Sequence, residues 1–589
     1  MSPRAALAVI ALGLVAVGAA TDLPRAARGQ FWSDGATYYA MAWSLAKDGD
    51  LTYGPEDLAR VRQEFPGGPQ GLFLKRGREG RLFFAKAFAY PVAAAPFVWL
   101  FGTRGLPLLN ALCLAASLFL GYAVARRSVA LSCAVLLFGA APIYVVWPQP
   151  ELFNLALVCA GLWAWRADRP LLSALLFGIA TYSKPTNLLV ALPLGLAPFV
   201  GNAFGAGLRE SLRRGAVLAG TAAALYGVNA AVTGDWNYQG GERKTFYARY
   251  PFDPGTSFDN SGFWMTTEQV GAAVPEEGAQ AAAKERGVIE RPRSELRAAF
   301  VRNLAYFWIG RFAGVLPYFF PAALAAFLFA ARGPRDRDGW LALAAVCLSA
   351  LVYIALIPDN WYGGGGTLGN RYFLNLLPLA LVFAPRGGER LFAGASVLVA
   401  ALLLGPALLA PVEHSLHPWR HALRAPFRLF PLELSMLNDL GFCSDPWRKK
   451  QPFGDPDRNP RGYWLYFPDD GTYGREVVES HEGFWLRRGQ RATLVLRALE
   501  PAERVAVRLN GGPDGDIVTL AAGSQSESVP LRRGESRELV LKPGRGYPFY
   551  LSHVYTLEVG SQAAPVDTTG RPDARALGGF VRLQLDPLR

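Results

Sequence analysis

The chain is short of charge. Of its 589 residues only 18% are Asp, Glu, Lys or Arg, while 51% are hydrophobic. With a mean hydropathy of +0.17, this excludes an ordinary soluble protein of such length. Cysteine is scarce, with 5 in all. Cys113, Cys133, Cys159 and Cys347 sit inside apolar segments and Cys443 stands alone, so there is neither a disulfide framework nor a metal-ligand spacing. No clear internal repeat is visible. The glycine-rich "WYGGGGTLGNRYF" lacks the lysine and the strand–helix setting of a phosphate-binding P-loop. Acidic residues are outnumbered, giving a net charge of +13. Nucleic acid is not the implied partner, because the arginines stand in short groups between apolar segments, as the positive-inside rule expects.

Long uncharged runs recur from residue 5 to about 411 and read as membrane helices. Candidate spans are about 4–20, 104–125, 128–147, 151–166, 170–184, 187–206, 215–232, 313–331, 339–357, 371–385 and 391–411, eleven in all. Residues 1–20 also suit a cleaved signal peptide. A retained first helix is preferred, since the spans that follow need no separate export signal. With the N-terminus inside, Arg126 and Arg127, Arg166 and Arg169, Arg209 with Arg213 and Arg214, Arg332 with Arg335 and Arg337, and Arg386 with Arg390 all fall on the cytoplasmic side. The outer side receives the first loop 21–86, "WPQPE", "YSKPTN", the long loop 233–300 and "DNWYGGGGTLGN". Residues 87–102, broken by Pro91 and Pro96, read as a re-entrant or tilted piece. If 87–102 and 301–312 both cross, the count rises to thirteen.

The expected fold is therefore mostly α: a polytopic membrane helical bundle over 1–411 with a C-terminal all-β domain. Residues 412–470, rich in proline and aromatics, read as a connector. From 471 to 589, short alternating runs such as "ERVAVRLNGG" and "RELVLKPG" predict a β-sandwich.

The outer side gathers polar residues. In "QFWSDGATYYAMAWSLAKDGDL" a helix along the interface is expected, with Tyr38, Tyr39 and Trp43 at headgroup level. Asp34 is either the cap of that helix or a working acid. Lys86 and Tyr90 follow in "FAKAFAYP", then Glu151 at a span start and Lys184 at a span end. Arg311, Trp361, Asn370 and Arg371 complete the set. Taken singly, Lys86, Arg311 and Arg371 suit snorkelling and Glu151 a helix N-terminus. Together, two carboxylates and several cations on one face suit a reaction on a phosphate-bearing lipid. A carboxylate accepts a proton, and fixed cations meet charge on a leaving phosphate. Two carboxylates are an ambiguous basis for a metal, so a divalent ion stays open and no cofactor is assigned.

Four stretches carry a family likeness: "SDGATYYAMAWSLAKDGDL", "LFFAKAFAYPVAAAPFVWLFG", "ATYSKPTNLLVALPL" and "WYGGGGTLGNRYFLNLLPLAL". In order and spacing the chain resembles, over roughly 1–385, the GT-C superfamily of integral membrane glycosyltransferases. More narrowly it resembles the bacterial branch related to protein mannosyltransferases and aminoarabinose transfer onto lipid A. Where many members have a second acid directly after the first, this chain has Gly35. The resemblance implies an inverting transferase in a bacterial inner membrane, with its β domain in the periplasm. It would use a polyprenyl-phosphate-linked sugar donor and a lipid, glycan or protein acceptor. It also implies catalytic roles for Asp34 and Glu151. It makes Lys86, Lys184 and Arg371 phosphate ligands, with Tyr38, Tyr90, Arg311, Trp361 and Asn370 lining the substrate site. Two other classes compete: a flippase or transporter of lipid-linked sugars, and a non-catalytic membrane scaffold for the β domain.

Overall fold

The computed structural model describes residues 2–26, 33–199, 204–240, 242–247, 249–264, 293–333, 336–364, 368–437, 439–442, 450–456, 459, 461–549, 552–564, 566–569 and 573–587. The chain divides into two compact units, Met1–Val288 with Tyr306–Leu416, and Ile289–Ala305 with His417–Arg589. The first is mostly helical and the second carries a C-terminal β domain.

In the first unit five helical runs are long and apolar enough to cross a membrane: Pro3–Ala20, Ala89–Val124, Ala206–Thr233, Arg337–Leu356 and Glu389–Leu409. Large apolar side chains face outward on them, among them Leu12, Leu356, Leu398 and Leu402. The run Ala89–Val124 is not one rod. It breaks at the 3-10 turn Gly102–Arg104. In a continuous helix Tyr90 and Asn110 would stand about 30 Å apart, yet their side chains share a 3.1 Å hydrogen bond. Ala89–Phe101 therefore doubles back beside Gly105–Val124.

Eleven uninterrupted spans are not what forms. The stretch 128–147 becomes the helix Val129–Leu137 and the 3-10 turn Ala141–Val146. The described part of 187–206 breaks into Asn187–Val190, Leu192–Leu196 and Ala197–Phe199. The stretch 371–385 becomes Arg371–Leu374 and Leu377–Leu381. Pro142, Pro193, Pro198 and Pro378 sit in these pieces, and each removes an amide donor from a helix. Broken backbone at such depth is tolerated only under protein cover. Leu376, Leu377, Leu379, Leu381, Val382 and Phe383 are indeed no more than 2% exposed. Residues 301–312 fall largely in the helix Arg293–Ile309, which is too short at 17 residues and carries Arg293, Glu295, Arg297 and Arg302, so it is not among the five.

Three of the arginine turns meet at one end of the helical unit. Asp336 accepts a hydrogen bond from Arg386 at 2.5 Å and lies 3.5 Å from Arg126, while Ser128 donates to Glu389. The loops expected on the other side meet as well. Strands β1 (Leu72–Arg76), β2 (Leu82–Phe84), β3 (Arg243–Phe246) and β4 (Phe263–Trp264) form one antiparallel sheet in the order β2-β1-β3-β4. A segment of 21–86 and a segment of 233–300 thus share backbone hydrogen bonds and must lie on the same side.

In the second unit two antiparallel sheets pack face to face. One orders Ser536–Leu541, Ala502–Asn510, Leu577–Pro587, His481–Arg487 and Thr472–Val478. The other orders Gln525–Leu531, Asp516–Ala522, His553–Ser561, Arg491–Ala498, Tyr463–Tyr466 and Lys450–Phe453, with Tyr547–Pro548 added on His553–Ser561. Their inner faces share one core, with Leu465, Leu494 and Leu496 against Val505, Val507 and Val581. The sandwich begins earlier than 471, because Lys450–Phe453 and Tyr463–Tyr466 are strands of it. The first holds Pro452, which an edge strand tolerates. Cys443 lies outside the described residues.

Asp469 is buried in this domain, accepting from Gly471 and Thr493 amides at 2.9 and 3.0 Å. Burial pushes its carboxyl up to about 6, against those bonds and Arg428. The folded chain then holds this proton more tightly than the unfolded chain. The contribution is complete below about pH 4 and fades as pH rises to about 6, worth up to roughly 3 kcal/mol. Urea midpoints of the β domain measured from pH 4 to 7 should fall across that window, and Asp469→Asn should flatten the slope.

Candidate active site

The polar cluster forms at the end of the helical unit where the sheet lies. The helix Ser33–Lys47 opens it, with Asp34 in its first turn. The Asp34 side chain does not cap that helix. Its Oδ1 accepts from Lys86 Nζ at 3.0 Å and its Oδ2 from Arg371 at 2.7 Å. Tyr38 and Tyr39 are 7% and 1% exposed, so they are interior and form no interfacial belt. Tyr38 meets Tyr90 edge-on at 5.7 Å, and Tyr39 meets Phe65 at 5.4 Å. The outer loop's own elements, including the helix Pro55–Glu64, cover this helix.

A Cβ on Gly35 would fall 2.9 Å from Pro148 Cγ, so a larger residue beside Asp34 would have to displace that proline ring.

Arg371 is the hub of the cluster. Asn370 accepts the Phe373 amide at 3.0 Å and starts the short turn Arg371–Leu374, while the Arg371 amide donates to the Tyr362 carbonyl. Gly363, with φ +100°, lies flat against the Arg371 side chain, where a Cβ would come within 2.4 Å. The guanidinium reaches Asp34, donates to Gln149 and stands 3.7 Å from Glu151. Glu151 opens the helix Glu151–Arg166, behind the two prolines that flank Gln149.

Lys184 leaves the end of the helix Pro170–Ser183, where Pro185 forbids further helix. Its ammonium sits 3.8 Å above the Tyr372 ring, within electrostatic reach of Glu151, Arg371, Asp34 and Lys86. Tyr372 stacks on Tyr353 at 4.8 Å. Tyr90 is held by Asn110, whose amide donates to the Val145 carbonyl at 3.3 Å.

Two further residues belong here. Arg243 comes from β3 and is buried, with its guanidinium 4.7 Å from the Phe73 ring that Lys86 approaches at 4.2 Å. Gln149 pairs with Arg371. Neither stood out in sequence, because Gln149 is uncharged and Arg243 is one of several basic residues in the long loop 233–300. The prolines around Gln149 were the one available signal. Two expected members stand apart from the Asp34 pairings. The Arg311 carbonyl accepts from the Tyr318 hydroxyl at 2.8 Å, and Trp361 is wholly buried against Phe307.

The hydrogen bonding is incomplete. Lys184 Nζ, Arg243 Nε, Arg371 Nε, Gln149 Nε2 and Glu151 Oε2 are buried without a hydrogen-bond partner among the described residues. Native interiors rarely leave so many polar atoms unanswered in one place. In comparisons with family models, curated proteins and solved structures, nothing matches this chain. Among the described residues no three His, Cys, Asp or Glu side chains gather to hold a metal ion, and both carboxylates already face Arg371.

Burial pushes the Asp34 carboxyl up, but Lys86 and Arg371 outweigh it and hold the group far below the usual carboxylate range. Removing that charge strands two cations in the interior, which costs about 3–5 kcal/mol. Asp34→Asn should therefore lower the thermal midpoint of the helical unit, and adding Lys86→Met should restore part of it. Tryptophan fluorescence on heating would check both.

Proposed function

We propose that this chain is a GT-C-type glycosyltransferase of the bacterial inner membrane. It moves a sugar from a polyprenyl-phosphate donor to a lipid, glycan or protein acceptor, with inversion at the anomeric carbon. The N-terminus lies in the cytoplasm, and the site and the β domain lie in the periplasm. The observation that carries this reading is the surplus of buried, under-bonded positive charge. Four cations, Lys86, Lys184, Arg243 and Arg371, surround two carboxylates, Asp34 and Glu151. The surplus of two matches a departing phosphate monoester, which carries about −1.5 to −2 at neutral pH. Donors without partners are what such a leaving group requires. The arginine turns that meet at Asp336 support the orientation.

In the proposed step the acceptor's oxygen or nitrogen forms a bond to the anomeric carbon. The bond from that carbon to the phosphate oxygen breaks, and its electron pair stays with the phosphate among the cations. The acceptor's proton passes to a carboxylate. Asp34 has a cation on each oxygen and serves as anchor for Lys86 and Arg371. Glu151 keeps one oxygen unpartnered and is the better proton acceptor.

Protein in lipid, given a panel of polyprenyl-phosphate sugars and cell-envelope extract, should release polyprenyl phosphate. Glu151→Gln should slow release by about 10²–10⁴-fold, and Lys184→Met should weaken donor binding. Unchanged release by Glu151→Gln would return the proton to another group. No release from any donor would sink the transferase reading.

The rate should also fall on the alkaline side. Burial lowers the Lys86 ammonium's pKa, against the pull of Asp34, so its charge is lost below the ordinary lysine value of about 10.4. A pH–rate profile should show that limb, and Lys86→Arg should remove it.

A further inference from the structure

The small outer sheet has two faces, and only one serves the cluster just described. Side chains alternate along a strand. Phe73, which meets Lys86 and Arg243, points to one face of β1. Arg76 and its cross-strand partner Leu82 point to the other. On that second face lies a groove of about 620 Å³, bounded by Tyr53, Arg76, Glu79, Arg81, Phe252 and Phe258, with Thr256, Ser257 and Asp259 at its rim. Small-ligand sites typically measure roughly 300–1,000 Å³.

Phe252 stands out. It is 50% exposed and holds a φ of +78°, a left-handed backbone that a bulky residue adopts only under constraint. The constraint is visible on both sides. Asp253 takes a bidentate pair from Arg62 at 2.6 and 3.0 Å. Lys244 donates to three carbonyls of the same loop, at Phe258, Asp259 and Ser261. The loop is thus clamped so as to present an aromatic ring to solvent, 5.7 Å from the Tyr53 ring.

We propose that this groove binds an uncharged oligosaccharide. The exposed Phe252 ring, backed by buried Tyr53, offers a flat apolar surface to the C–H face of a sugar, and the groove's hydroxyls and carboxylates suit sugar hydroxyls. Its charges cancel within it, Arg76 against Asp259 at 2.5 Å and Arg81 against Glu79 at 3.1 Å. An anionic ligand would find no surplus cation here, in contrast to the cluster on the opposite face. A peptide added as an extra strand would need an open edge. The β2 edge is taken, with Tyr53 donating to the Leu82 carbonyl at 2.7 Å and Phe84 to that of Leu51 at 3.4 Å. Under the transferase reading, on which this clause alone rests, the groove holds the distal part of a glycan acceptor.

Binding is tested without donor on full-length protein in nanodiscs. Calorimetric titration uses maltohexaose, cellohexaose, chitohexaose and, as a charged control, hexagalacturonate. At least one neutral hexasaccharide should bind the unaltered chain. Phe252→Ala and Arg81→Ala should weaken that binding by about tenfold or more, while Phe252→Tyr should keep it. Glu151→Gln should bind the saccharide normally. The proposal fails if no neutral hexasaccharide binds, if only hexagalacturonate binds, or if Phe252→Ala binds as the unaltered chain does. None of those outcomes bears on donor cleavage, so the two readings stand or fall separately.

Discussion

The arrangement of the outer end depends on one carboxylate held between two cations. Asp34 draws Lys86 from the end of its own loop and Arg371 from a position 337 residues later. Arg371 in turn gathers Gln149 and Glu151. A buried ion pair gives up much of its attraction to desolvation, so its value as net stability is small. Its value as a constraint is larger. Each member left alone would be a charge in a dry interior, so four chain segments are obliged to converge. The cluster is held by mutual need.

The helices around it follow a related rule. Where the sequence breaks a helix with proline, the resulting turns are buried by neighbouring helices, as at Leu377–Leu381. Where the helix is unbroken, as in Pro3–Ala20 and Glu389–Leu409, leucine and valine face outward. The outward-facing helices thus lie at the rim, while Gly105–Val124 and the short irregular pieces are interior.

Much of this was legible in the sequence, and the failures have physical causes. Charges at the ends of apolar segments are costly, so Asp34, Lys86, Glu151, Lys184 and Arg371 were visible one by one. Their meeting was not, because proximity across hundreds of residues leaves no local pattern. Tyr38 and Tyr39 looked interfacial because amphipathic rings suit that zone equally well. Only the folding of the outer loop over them makes them core. Hydropathy alone read 128–147 and 371–385 as spans, since a segment buried in protein and one buried in lipid carry the same residues. The sandwich strands were plain wherever inward and outward residues alternate. Lys450–Phe453 was not, being four residues long with a proline inside.

The four-stranded outer sheet has a consequence for how the chain is made. β1 and β2 are synthesised early, yet β3, their hydrogen-bonding neighbour, follows only after a further run of helices, with Lys75 reaching the Asn237 carbonyl across 162 residues. Such non-local pairing forms slowly. In ribosomal order, the first loop must wait as an open two-stranded edge, its Asp34 and Lys86 paired only with each other. Arg371 arrives last. The site is therefore completed late, and a truncated product ending before residue 371 would keep four of the five long apolar helices but hold an unfinished centre.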